Sequence, residues 1–553
     1  MLGDRFWWRL FSLCSVLLFL VIGARLIHLQ VVQGSFYVNF VKEQSEVQLS
    51  FTKDRGVIYD RVGRPLAQNR KVASLYTFGK NVDDPAAFVA MLKKNGLDIT
   101  PGLEKKLAST NGFVWIKRQI DVALARKLKD QMDNLGFYIE DARFYPEGEL
   151  MAGIVGYTGV DNQGLAGVEY FKDSILKGRS FPVNVMKDSG GRLILFDDGV
   201  LKTGPDTSIS LTIDVRLQAL AENILKQDLK EFRARKAVVV AMDVVTGEIL
   251  LSLSAEDTKK RVIKNDATTY LFEPGSIFKA VSFSYLIENG QYKPNAVVKT
   301  GTPYQIHGHT IRDVSSYPTL TQAEVFTKSS NIGTVTLTSG FNREAFYKYL
   351  TLCGFGRKTG IDGSSEETGL LRKPSAWSGL SLASISIGQE VMVSPVQIVR
   401  FYAAIANRGY APEPAIISHT TTGGENSRRK ATSERIMSEK TAMALREMLV
   451  STVQTGTGRR ARSEIVSIGG KTGTGQMIDK ATGTYSKTDY TASFAGIFPA
   501  ENPKIAMVVL FEAPKASIYG GTTGAETFRK IAEQLAFYYN IGSDNTKVLY
   551  AHR

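Results

Sequence analysis

The sequence predicts an α+β protein: a single N-terminal transmembrane helix, a mixed pedestal domain, and a C-terminal domain of helices packed on an antiparallel sheet. Three observations predict it. One uncharged apolar run stands near the N-terminus. A stretch of short apolar runs broken by Gly turns follows. Beyond Ile213, long amphipathic helical patterns alternate with apolar runs of strand length.

Leu10 to Ala24 carries no charge and is preceded by Phe6, Trp7 and Trp8, residues that favour a membrane interface. A span needs about 20 residues, so Arg9 and Arg25 must snorkel and the helix extends to roughly Phe6–Leu29. No small-x-small cleavage site follows, which favours an uncleaved anchor over a signal peptide. Arg5 and Arg9 precede the span and favour a cytoplasmic N-terminus, leaving the rest of the chain outside, where no ATP is available. The expected divisions are a tail and anchor over 1–30, a pedestal over 31–231, a catalytic domain over 232–545 and a short tail over 546–553.

The pedestal opens with KDRGVIYDRVGRPLAQN, a strand–turn–strand pattern around Gly63, and continues through RFYPEGELMAGIVGYTG and GLAGVEYFKDSILKG without a catalytic cluster. In the C-terminal domain, TIDVRLQALAENILKQDLKEF reads as a helix, and KAVVVAMDVVTGEILLSLSA as a hairpin turning at Thr246-Gly247. A helix starts at Ser276, and SLASISIGQEVMVSPVQIVRFYAAIAN supplies more helix. HTTTGGENSRRKATSE reads as a polar surface loop. Two strands, YTASFAGIFPA and PKIAMVVLFEA, and the helix AETFRKIAEQLAFYY end the domain.

The net charge of +14 suits an anionic surface or substrate, or simply a basic exterior; no dense Arg/Lys block with interleaved aromatics points to nucleic acid. Cys14 and Cys353 are too far apart in context to pair, and Cys353 reads as a buried filler. His307 and His309 read as a turn between strands, and the five histidines offer no metal cage. No cofactor is implied.

An acyl transferase without a metal needs a nucleophile, a base, a proton path and an oxyanion site. Pro274 and Gly275 break the chain before Ser276, so the serine opens a helix near unpaired N–H groups, and Lys279 falls on the same face three residues on. To accept a proton, Lys279 must be neutral, which requires burial and a nearby cation. The S-x-x-K pattern is weak by itself, since Ser174–Lys177 matches it. Lys-Thr-Gly occurs at Lys202, Lys299, Lys358 and Lys471, and Ser-x-Asn at Ser329 and Ser543. Context selects one ordered set. Ser329-Ser330-Asn331 sits between two helical stretches, and Lys471-Thr472-Gly473 lies on a Gly-rich strand edge that a substrate peptide could approach. The GKT within GGKTG is not a phosphate loop, because Ile465 stands where the first glycine is required.

FEPGSIFK, KSSNIG and GGKTGTGQ, in that order, resemble the three active-site motifs of penicillin-binding proteins and serine β-lactamases. RGVIYDRVGRPLA, RFYPEGELMAGIVGY and the single anchor resemble class B penicillin-binding proteins in particular. HGHTIRDV and TKSSNIG look more like the division-specific penicillin-binding protein 3 type than the elongation-specific type, whereas Gln389-Glu390 departs from the division-type wording. The resemblance implies a penicillin-binding, β-lactamase-like transpeptidase domain and peptidoglycan D,D-transpeptidation. Ser276 would be the acyl acceptor, Lys279 its base, Ser329 a proton relay and Lys471 a tuner of the local field. Asn331 would hold a substrate amide. Thr472, Gly473 and Thr474 would line the substrate strand, with Thr472 and Thr474 at the terminal carboxylate. The N–H groups of Ser276 and Thr474 would form the oxyanion hole, and β-lactams would acylate Ser276.

Implied partners are peptidoglycan stem peptides, the inner membrane, a polytopic glycosyltransferase and other divisome proteins. Three alternatives stay open: an elongation-specific transpeptidase, a D,D-carboxypeptidase or β-lactamase, and a β-lactam sensor or scaffold.

Overall fold

The computed structural model describes residues 3–187, 193–194, 204–258, 263–479 and 482–541. The Lys202 and Ser543 motifs and the expected tail 546–553 lie outside the described residues. The chain forms two compact units, residues 1–54 with 178–205, and residues 55–177 with 206–553.

The first unit carries the helix Gly3–Ile27, a single π turn His28–Val32 and the helix Gly34–Ser45. Its strand Glu46–Thr52 pairs antiparallel with Ser180–Lys187. Phe6–Val32 is long and apolar enough to cross a membrane, with a mean hydropathy of 2.4, slightly longer than the span read from the sequence.

In the second unit, the helix α1 (Val215–Glu231) starts at Asp214, whose carboxylate accepts from the Arg216 amide. Strands β1 (Lys236–Asp243) and β2 (Ile249–Glu256) follow as the expected hairpin. A 3₁₀ turn, Gly275–Phe278, runs into α2 (Lys279–Glu288). Then come α3 (Gln322–Thr327), α4 (Asn331–Thr338), α5 (Pro395–Ala406) and α6 (Glu439–Gln454). The domain closes with β3 (Gly469–Ile478), β4 (Tyr485–Phe498), β5 (Ile505–Glu512) and α7 (Gly524–Tyr538). The sheet order is β2-β1-β5-β4-β3, antiparallel throughout.

The run AVVVAM in β1 is continuously apolar because both faces of the sheet are covered. Val238, Val240 and Met242 join the core shared with α5, while Ala237, Val239 and Ala241 join the core shared with α1 and α7. β3 is left at the sheet edge, the one position from which a strand offers its outer backbone to a ligand.

A seven-stranded sheet runs from Glu425–Arg428 through Ile417–Thr422, Thr207–Leu211, Val57–Tyr59 and Pro65–Phe78 to Phe113–Ile120, with Gly136–Phe144 also paired to Pro65–Phe78. Behind it, Glu169 is fully buried between Arg55 (2.7 Å) and Arg143 (2.6 Å), and Arg55 also reaches Asp173 at 2.7 Å. The burial of three charges is offset because each is paired.

Three local expectations change. HTTTGGENSRR is not a loop: Ile417–Thr422 and Glu425–Arg428 form a hairpin whose turn is Gly423-Gly424, both at positive φ. Its alternating threonines are strand formers that a polarity reading discounts. The helical reading of SLASISIGQEVMVSPVQ breaks into Ser381–Ser386 and α5, because Gly388 and Glu390 take positive φ and Ser394-Pro395 start a new helix with a capping box. The Gly-rich pedestal stretches contain short helices, Gly148–Val155 and Gly167–Phe171. His307-Gly308 does form the turn between Tyr304–Ile306 and His309–Ile311.

Candidate active site

Ser276 sits on the 3₁₀ turn, not inside the α-helix, and opens onto a cavity of about 970 Å³. Buried Ile277 and Phe278 anchor the turn, and the buried Tyr402 hydroxyl on α5 donates to the Ile277 carbonyl at 2.9 Å. Gly275 takes φ +54°, and a Cβ there would meet the Thr474 carbonyl oxygen at 2.7 Å. A Cβ on Gly473 would likewise meet the Pro274 carbonyl at 2.9 Å. Two glycines therefore let β3 lie directly against the Ser276 turn.

Lys279, the first residue of α2, is fully buried. Its Nζ donates to the Ser329 carbonyl (2.7 Å), the Asn331 Oδ1 (2.7 Å) and the Ser329 hydroxyl (3.4 Å). Burial lowers its pKa to about 7, against the opposing pull of the Asp313 carboxylate. Ser329 stands at φ +61° in the turn between α3 and α4, a strained setting that directs it toward Lys279. Lys471 on β3 is also fully buried; burial and the Lys279 charge hold it well below its ordinary range. Its ammonium lies 5.7 Å from the Phe326 ring centre, a cation–π contact.

The cavity gathers Ser276, Ser329, Asn331, Thr472, Gly473 and Thr474, with Lys279 and Lys471 buried behind it. The Thr472 hydroxyl bonds Thr457 at 2.7 Å, and Thr474 Oγ1 accepts from the Gly520 amide at 3.5 Å. The rival motifs stay outside. Ser174 and Lys177 are exposed in the pedestal, Lys299 is exposed at the end of a short strand, and Lys358 is exposed in an irregular stretch.

Sequence reasoning missed Asp313. Its carboxylate accepts from the Ser330 hydroxyl (2.5 Å), the Asn331 amide and the Ile332 amide (3.0 Å), capping α4 from a distant hairpin. RDV carries no capping signal, because the helix it caps lies 18 residues further on. Glu273, Thr457 and Tyr402 were missed for the same reason: each acts through a contact far away in sequence.

This fold, with a serine and a buried lysine one turn apart under an edge strand, defines the penicillin-recognising class of active-site serine proteins. The family model for the penicillin binding protein transpeptidase domain matches residues 237–533, and that for the penicillin-binding protein dimerisation domain matches residues 52–198. The peptidoglycan D,D-transpeptidase FtsI of Escherichia coli K12 is 31% identical, over 97% of this chain and 93% of its own. The probable peptidoglycan D,D-transpeptidase PenA of Neisseria gonorrhoeae is 29% identical over 94% and 90%. Penicillin binding protein 3 of Mycobacterium tuberculosis, solved with aztreonam, superposes with a TM-score of 0.69 at 26% identity, over 89% of this chain and 98% of that one. The chain belongs to the penicillin-binding proteins, class B, and is similar to their division type.

Proposed function

We infer that this protein is a penicillin-sensitive serine D,D-transpeptidase that cross-links peptidoglycan stem peptides at the division septum. The observation that carries the reading is Ser276 opening onto the cavity ahead of a fully buried Lys279 whose burial brings it near neutrality at physiological pH. Ser276 Oγ attacks the carbonyl of the penultimate D-Ala, and its proton passes to neutral Lys279 Nζ. The developing oxyanion is held by the N–H groups of Ser276 and Thr474. As the peptide C–N bond breaks, Ser329 passes the proton to the leaving amine, and D-Ala departs. The amine of a second stem peptide then attacks the ester carbonyl, loses a proton to the same base, and regenerates Ser276. Asn331 holds a substrate amide, Thr472 and Thr474 receive the terminal carboxylate, Gly473 lets the substrate strand approach, and Lys471 tunes the local field. β-Lactams enter by the first half of this route and stall as the ester.

The same reading places the chain in the inner membrane by one span, with its N-terminus cytoplasmic and its catalytic domain outside, supported by Arg5 and Arg9 ahead of the apolar helix. It also keeps the division at 231/232 between pedestal and catalytic domain, and assigns the anchor and pedestal to binding a polytopic glycosyltransferase and other divisome proteins. Labelling with a fluorescent penicillin tests the core of the reading. Wild type labels to one equivalent and Ser276→Ala does not; stoichiometric labelling of the variant would overturn it.

A further inference from the structure

Glu273 lies three residues before Ser276 and is only 8% exposed. Its Oε1 accepts two hydrogen bonds, from the Glu390 amide at 3.0 Å and from the Tyr485 hydroxyl at 3.0 Å, while its buried Oε2 has no partner among the described residues. The two donors come from the segments that supply Gln389 and Tyr490 to the cavity lining. Glu390 ends the turn at Gly388-Gln389, whose Gly388 carbonyl accepts from the Gly275 amide at 2.9 Å. Tyr485 opens β4 opposite Ile478, the last residue of β3, so it holds the turn end of the β3–β4 hairpin. The backbone of Glu273 is in contact as well: a Cβ on Gly475 would meet the Glu273 carbonyl at 2.6 Å.

The separation of Ser276 N–H from Thr474 N–H, the width of the oxyanion hole, is thus set where the nucleophile turn meets β3. We propose that Glu273 is a positioning residue for acylation, its carboxylate latching the β3–β4 hairpin and the Gly388–Glu390 turn onto the Ser276 turn so that the oxyanion hole holds its transition-state width. The proposal rests on Ser276 being the acyl acceptor.

The latch is tightest when the carboxylate is ionised, because hydrogen bonds to a charged acceptor are stronger than those to a neutral one. Burial pushes the Glu273 carboxyl up to about 7, with the Tyr485 and Glu390 hydrogen bonds pulling the other way and the nearby Glu390 charge adding to the rise. The titratable groups facing it are Tyr485 from β4 and Glu390 from the turn, and the Glu390 carboxylate is itself held by Arg372 (2.5 Å) and Ser381 (2.7 Å). Below neutrality the latch slackens at the same time as Lys279 gains its proton. Acylation therefore depends on two ionisations, and its rate falls with acid more steeply than one group allows.

The test is acylation of the detergent-solubilised full chain by a fluorescent penicillin, resolved into the chemical constant k2 and the binding constant Ks, from about pH 5.5 to about 8.5. Glu273→Gln keeps an acceptor at Oε1 but cannot ionise. It is expected to lower k2 about tenfold with Ks unchanged, and to reduce the acid limb to a single ionisation. Tyr485→Phe removes one donor and is expected to lower k2 about threefold while keeping both ionisations. Glu273→Gln should also unfold no more readily than wild type, since it removes a buried charge. The proposal is overturned if Glu273→Gln keeps the wild-type k2 and acid limb, if the loss lies in Ks alone, or if k2 and unfolding midpoint fall together in both variants. A Ser276→Ala protein that still labels would instead overturn the nucleophile assignment.

Discussion

Replacing Lys279 with Met keeps much of the aliphatic stem and removes the amine. The wild-type side chain is fully buried, and burial holds its ammonium near 7 instead of its ordinary 10.5. Above pH 7 the unfolded chain still carries a proton at this lysine that the folded chain has released. Wild type therefore gains stability as pH rises through this window, and below it carries the full cost of a buried charge. Each pH unit in the window is worth about 1.4 kcal/mol. Relative to Lys279→Met, wild type should gain about 2 kcal/mol between pH 7 and pH 9, because the folded lysine is still half-protonated at the lower end. Urea unfolding in detergent at both pH values, followed by tryptophan fluorescence, measures it. In the same preparations, loss of the base should slow penicillin acylation about 10³-fold. A stability difference that is flat between pH 7 and 9, or a variant acylating within tenfold of wild type, would refute the reasoning.

Asp313→Ala removes three hydrogen bonds at the start of α4, from Ser330, Asn331 and Ile332, and leaves the Ser330 bond from the Gly333 amide. It should cost about 1–2 kcal/mol in urea unfolding and slow acylation about tenfold; unchanged acylation would show that these bonds do not position Ser329 and Asn331. Gly275→Ala places a Cβ 2.7 Å from the Thr474 carbonyl at a positive φ. Acylation should fall about 100-fold with only about 1–3 kcal/mol lost from stability, read in the same two assays. Glu169→Gln leaves buried Arg55 with Asp173 and takes from buried Arg143 its Glu169 ion pair, and should cost about 3–5 kcal/mol. Limited proteolysis should then cut within the pedestal, while the protein that remains folded still labels with penicillin.

Local chemistry was enough to find the order of the three motifs, the N-terminal apolar helix and the α+β domain, because each leaves its mark within a few neighbouring residues. An apolar run, a helix start after Pro274-Gly275, and strands such as Lys236–Asp243 all belong to that kind. The polar hairpin at Ile417–Arg428 was missed because its threonines and serines look like loop unless the neighbouring strand Thr207–Leu211 is known. The broken helix around Gly388 was missed although Ser394-Pro395 and Gln397 carry a local start signal; what no local reading shows is the Gly388 carbonyl accepting from the Gly275 amide on the Ser276 turn.

What the sequence set out by itself is a group of candidate residues and the order in which they come. The tertiary structure decided their state. Lys279 needs burial to be a base, and burial comes from α4, β3 and the turn at Ser329, segments far from it in the chain. Asp313 and Glu273 act through partners 17 to 212 residues away. Desolvation and field strength depend on distance in space, which no short stretch of sequence encodes.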